Sequence, residues 1–82
     1  MKKERDITRT ISKIRRAMPE LDYPISSALK YCAPESMWYQ LTDFINQNVK
    51  ADSNNRRSVA VYAALMGVNR FKMRKMLIER GL

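Results

Sequence analysis

Arg70 and Arg74 stand four residues apart in the segment Asn69-Arg70-Phe71-Lys72-Met73-Arg74-Lys75-Met76-Leu77. On a helix that spacing puts both guanidinium groups on one face, a turn apart. Two such forks suit bidentate contact to guanine edges in a major groove. Lys72 and Lys75, with Arg56 and Arg57 further back, are suited to phosphates, which set register without reading sequence. Asn69 can cap the helix by accepting a backbone N–H bond, and it can also reach a base or a phosphate. Phe71 can meet a thymine methyl or fill the groove wall. Arg56, Arg57 and Ser58 open an earlier helix. Basic residues oppose the dipole there, which makes sense if that first turn faces phosphate. The candidate contacts are therefore Asn69, Arg70, Phe71, Lys72, Arg74, Lys75, Arg56, Arg57 and Ser58.

Other chemistries have little to work with. The chain has no histidine and one cysteine, Cys32. An internal disulfide is excluded, and a His/Cys metal site has no ligands. The usual general base for a Ser or Cys nucleophile is missing too, so no enzyme, metal or cofactor is expected. Cys32 reads as a small buried hydrophobe. The N-terminus is charged and lacks the apolar block of a signal peptide. No apolar stretch approaches the ~20 residues of a membrane span. A cytoplasmic protein is expected.

Charge points to a partner. The net charge is +8 over 82 residues, and it is segregated. Residues 1–16 carry seven Lys/Arg and two Asp/Glu; residues 17–55 carry two and five; residues 56–82 carry seven and one. Two basic ends around an acidic middle suit a polyanion, with double-stranded DNA the leading candidate. RNA is less well served, because no aromatic stacking platform is visible. A small protein-interaction adaptor with a basic helical surface is the alternative.

The elements that must position these residues read as helices. Gly occurs twice and Pro three times, while Ala, Leu, Met, Ile, Lys and Arg are plentiful. Residues 1–5 read as a frayed end. Asp6 can cap a helix running to Met18, with Ile7, Ile11, Ile14 and Met18 as a narrow stripe. A stripe that thin suits packing on the main body or on a second copy as a two-helix seam; a membrane-surface helix and a disordered, phosphate-binding tail are the alternatives. Its basic faces can add sequence-independent DNA affinity. Pro19 stops it. A short helix is expected from Pro24 to about Cys32, with Ile25, Ala28, Leu29 and Cys32 inward. The clearest amphipathic helix covers 35–49, with Met37, Trp38, Leu41, Phe44, Ile45 and Val49 inward as the core helix. Residues 50–55 form a loop from which Ser53, Asn54 or Asn55 can cap a helix starting near Arg56.

Residues 56–80 meet the geometric requirements of a helix-turn-helix. Two closely crossing helices need a small residue at the crossing, and Ala63 supplies it. The turn needs positive φ, and Gly67 tolerates it. Val68 is an apolar plug after the turn. Val59, Tyr62, Ala63 and Met66 line one helix, and Met73, Met76 and Leu77 line the inner face of the next. Arg70, Phe71, Arg74, Lys75 and Ile78 face the other way. Gly81 is placed as a C-terminal stop one residue before the chain ends, which leaves no room for a β wing.

The segment Tyr62-Ala63-Ala64-Leu65-Met66-Gly67-Val68-Asn69-Arg70, with Met73-Arg74-Lys75, Leu77 and Gly81, resembles the C-terminal segment of the factor for inversion stimulation (Fis) family. The same unit closes the bacterial enhancer-binding activators. The resemblance covers about residues 56–82. Upstream, the Pro24–Cys32 and Glu35–Val49 helices correspond to the family's two dimerising helices in order only; residues 1–20 have no counterpart. The resemblance implies a homodimeric, all-helical nucleoid or regulatory protein that binds degenerate sites in adjacent major grooves and bends DNA. On that pattern Asn69, Arg70, Arg74 and Lys75 match residues contacting bases and phosphates. Phe71 departs from the pattern by replacing a small residue, and Arg56, Arg57 and Ser58 replace a polar cluster.

The expected architecture is thus all-α, a small helical domain with a wingless helix-turn-helix at its C-terminal end. Residues 1–20 form a basic amphipathic arm, 21–52 the core and dimerisation helices, and 53–82 the DNA-binding segment, with the recognition helix at 70–80. Ile7, Ile11, Ile14, Ile25, Leu29, Met37 and Leu41 are the expected dimerisation residues. The expected partners are DNA, a second copy, and the transcription or recombination machinery.

Overall fold

A computed structural model describes residues 6–82, and the frayed end expected for residues 1–5 lies outside the described residues. The fold is all-α: α1 (Ile7–Ala17), α2 (Asp22–Leu29), α3 (Met37–Asn48), α4 (Arg56–Met66) and α5 (Arg70–Glu79), with no strand among the described residues. No helix in this range is long and apolar enough to cross a membrane.

Each helix starts and stops for a local reason. The Asp6 carboxylate accepts from the Thr8 N–H at 2.9 Å and caps α1. Pro19 opens a 3₁₀ turn, Pro19–Leu21, that ends the arm. α2 begins at Asp22, two residues before the expected start. Pro24 is accommodated in its first turn, where the missing N–H would have no partner anyway. It ends at Leu29, so Cys32 lies beyond it, half-buried, and Ala28 is exposed instead of inward. A second 3₁₀ turn, Pro34–Ser36, leads into α3. Asn55 caps α4 by accepting from the N–H groups of Arg57 and Ser58 at 3.0 and 3.1 Å.

The core centres on α4, where sequence reasoning had placed it on α3. Ser58, Val59, Val61, Tyr62, Ala63 and Leu65 are all buried. Helices pack α4 on more than one side, so its buried positions form no single stripe. α1 lies antiparallel to it: Arg57 at the start of α4 bonds to Ala17 at the end of α1, while the first turns of α1 line a trough with Gly67 and Arg70. α3 contributes Leu41 and Ile45, both fully buried, and Val49; Trp38 and Phe44 are only half-buried. Met66, expected on the inner face, is 48% exposed, and Leu65 takes the inner position.

The burial pattern also corrects the expected dimer seam. Ile11, Ile14, Ile25, Leu29 and Leu41 belong to the chain's own core, with Ile14 and Leu41 at 0% exposure. Ile7 and Met37 are half-buried against the same core. Burying one such aliphatic side chain stabilises by about 1.5–3 kcal/mol, which the single chain already gains. The five buried side chains are thus covered within the single chain, while Ile7 and Met37 keep part of their surface exposed.

Candidate nucleic-acid interface

Gly67 lets the chain turn from α4 into α5. Its φ of 73° lies in the left-handed region, where a Cβ would be strained. The Gly67 and Val68 N–H groups both donate to the Ala63 carbonyl, at 2.9 and 3.1 Å, closing the end of α4. The Asn69 side-chain oxygen then accepts from the Lys72 N–H at 2.7 Å and starts α5. Val68 is half-buried against the core.

α5 is held by one side. Met73 and Leu77 are buried and Met76 is half-buried. Arg70, Phe71, Arg74, Lys75 and Ile78 are exposed, as the spacing predicts, and Lys72 is exposed as well. Phe71 is 82% and Ile78 54% exposed. Glu79 is the one acidic residue on α5. At its C-terminal end the Leu82 N–H donates to the Leu77 carbonyl at 2.8 Å, and the Leu82 main-chain oxygen accepts from the Ser53 N–H at 3.0 Å. The last turn is thereby tied to the loop before α4.

The expected contact residues divide into free and committed groups. Arg56, Arg70, Lys72 and Lys75 are exposed, and no side-chain hydrogen bond or ion pair ties them among the described residues. Arg74 is partly committed, because its Nε–H donates to the Ser53 carbonyl at 3.1 Å. The tether fixes the stem and leaves the terminal nitrogens as donors. Asn69 is committed as a cap through its oxygen, and its amide nitrogen remains a donor.

Arg57 and Ser58 are committed to partners within the chain, Arg57 at the surface and Ser58 in the interior. Arg57 Nε–H donates to the Ala17 carbonyl at 3.3 Å, and its terminal nitrogen pairs with the Glu20 carboxylate. It clasps the start of α4 to the end of α1. Glu20's own backbone N–H, and then the Arg57 guanidinium, hold its carboxyl below the ordinary carboxylate range. Ser58 is 1% exposed; its hydroxyl donates to the Lys50 carbonyl at 2.6 Å and accepts from the Asp52 N–H at 3.1 Å. It fastens the 50–55 loop to α4 and has no capacity left for a phosphate. Sequence reasoning counted first-turn position and could not see that the loop folds back over it.

Three cations outside the expected contact set adjoin it. Arg9, Lys13 and Arg16 of α1 line one side of a trough whose far end is Asn69 and Arg70. Their spacing of four and three was a signal available in the sequence. What it could not disclose was that α1 lies across α4 with this stripe beside the turn. Comparison of the chain with protein-family models, with curated proteins and with solved structures gives no significant match.

Proposed function

We propose that this chain binds double-stranded DNA, with α4, the Gly67 turn and α5 acting as a wingless helix-turn-helix and α5 entering the major groove. The observation that carries the reading is the division of α5. Met73 and Leu77 anchor it, while Arg70, Lys72, Arg74 and Lys75 stand in solvent around Phe71. A helix so anchored can present forked donors to base edges without unfolding its own support. Arg70 and Arg74 are the guanine-reading pair, with Arg74 oriented by its bond to Ser53. Lys72, Lys75 and Arg56 bind phosphates. The Fis-like character of residues 62–77 supports the same reading, and with it a transcription-regulating or DNA-bending, nucleoid-associated role in the cytoplasm. A twofold homodimer belongs to this reading because a single small module makes few base contacts. Its seam would lie on surface residues, since Ile11, Ile14 and Ile25 are spent in the core.

Selection of bound duplexes from a random library, followed by footprinting, tests the proposal. Arg70→Ala is expected to cost about 1–3 kcal/mol on the selected site and to relax preference at one position. No salt-sensitive duplex binding by the wild type would end the reading. The second reading, a protein-interaction adaptor, is favoured by the exposure of Phe71 and Ile78 on α5. A protein partner retained after charge reversal at Arg70 and Arg74 would support the adaptor instead.

A further inference from the structure

The trough between α1 and the α4–α5 turn is chemically uneven. Arg9, Lys13 and Arg16 form one bank, and Arg70 stands at its end. Small residues such as Ala60, Ala64 and Gly67 lie between them. Among the described residues, the one acidic side chain lining it is Asp6, whose carboxylate already accepts from the Thr8 N–H. Arg9, Lys13 and Arg16 are exposed and are tied by no side-chain hydrogen bond or ion pair among the described residues. Arg15, on another side of α1, is by contrast paired with Asp22 at 2.7 Å and bonded to Ser26. The fold thus spends one arginine of α1 internally and leaves three cations of one face without an ion pair among the described residues, beside the start of α5.

We infer that this trough seats the sugar–phosphate backbone of the bound duplex, with Arg9, Lys13 and Arg16 as phosphate contacts beside the base-reading Arg70. The inference rests on the DNA reading above and assigns α1 a part in it. From Arg9 to Arg16 the helix rises about 10 Å, at roughly 1.5 Å per residue. Small residues along the trough let the strand lie close to the helices, and close approach strengthens the attraction to the cations. The contacts are to phosphates alone, so they add affinity and register and carry no sequence preference. An acidic helical segment of a partner protein is the competing occupant. Continuity with the free cations at the start of α5 favours the strand.

The test is duplex binding by fluorescence anisotropy across a salt series, using the selected site and a mixed-sequence duplex. The variant is Arg9→Gln/Lys13→Gln/Arg16→Gln, which leaves the Ile7, Ile11 and Ile14 stripe intact. Each phosphate contact contributes about 0.9 to the log–log salt slope, so the slope should become shallower by about 2.7. Affinity should fall by the same factor on both duplexes, whereas Arg70→Ala should discriminate between them. Arg9→Lys/Arg16→Lys should retain the slope. Lys30→Gln/Lys50→Gln, which removes charge elsewhere, should change it less per charge. If the triple variant loses its helical circular dichroism, the single variants Arg9→Gln and Lys13→Gln are read instead, each shallower by about 0.9. A folded triple variant with the wild-type slope overturns the inference and leaves the DNA reading standing. So does an unchanged slope accompanied by loss of binding to an acidic helical peptide, which would assign the trough to a protein. A wild type that binds no duplex removes both.

Discussion

Ser58 and Tyr62 show how much of the scaffold rests on two hydroxyl groups. Ser58 is fully buried and uses its donor and an acceptor to hold Lys50 and Asp52. Ser58→Ala would leave that N–H and carbonyl unpartnered in a partly buried place, so a loss of about 1–3 kcal/mol in urea unfolding is expected. Tyr62 donates its phenol proton to the Val49 carbonyl at 2.8 Å, and burial pushes its pKa above 10.0. A raised folded-state value means that the contribution is complete below the unfolded pKa and disappears as pH rises through the folded one. Stability should therefore fall in alkali above about pH 10, and Tyr62→Phe should flatten that fall in pH-dependent unfolding. Sequence patterning identified Tyr62 as inward from its helical spacing. It could not identify the partner, because Val49 approaches only after the 50–55 loop reverses the chain.

At the scale of elements, the first turn of α4 is the junction. Asn55 caps it, Ser58 ties it to the loop, and Arg57 reaches Ala17 and Glu20 at the end of α1. This clasp sets where α1 lies, and α1 in turn places Arg9, Lys13 and Arg16 beside the α4–α5 turn. Glu20 has a depressed carboxyl pKa, so its stabilising effect is present above the ordinary value of 4.5 and lost as pH falls through the folded-state value. The stability gap between wild type and Glu20→Gln should accordingly close on acidification below about pH 4.5, measured by thermal unfolding in a pH series. Both ends of the pair are solvent-exposed, so added salt should narrow the gap as well. Helix types and approximate limits were legible from caps and prolines. The angular placement of one helix on another was not, because long-range pairs such as Arg57 with Glu20 leave no periodic trace.

At the scale of the molecule, one chain uses all five helices to bury one core. Ile14, Ile25, Leu41, Ile45 and Val61 are each at or below 1% exposure, and they come from four different helices. Ile14→Ala should therefore cost about 2–5 kcal/mol through transfer loss and the cavity left behind. The loss should be independent of protein concentration in urea unfolding followed by circular dichroism. A seam between two copies built on Ile14 would instead make the loss itself depend on protein concentration.

The sequence by itself determined the helical class, the capping residues Asp6 and Asn69, the turn at Gly67, and the two-sided character of α5, and it narrowed the cap of α4 to Ser53, Asn54 or Asn55. Those features follow from short-range rules: helical period, side-chain caps and positive φ. Tertiary structure alone decided that α4 is the central helix and that the Ile11–Ile14 stripe closes on the chain itself. It also buried Ser58, tied the exposed Arg57 to the end of α1, and brought Arg9, Lys13 and Arg16 beside the α4–α5 turn. An apolar stripe shows that a helix must be covered without showing by what, and a cation shows its charge without showing whether a distant carboxylate or carbonyl has already taken it.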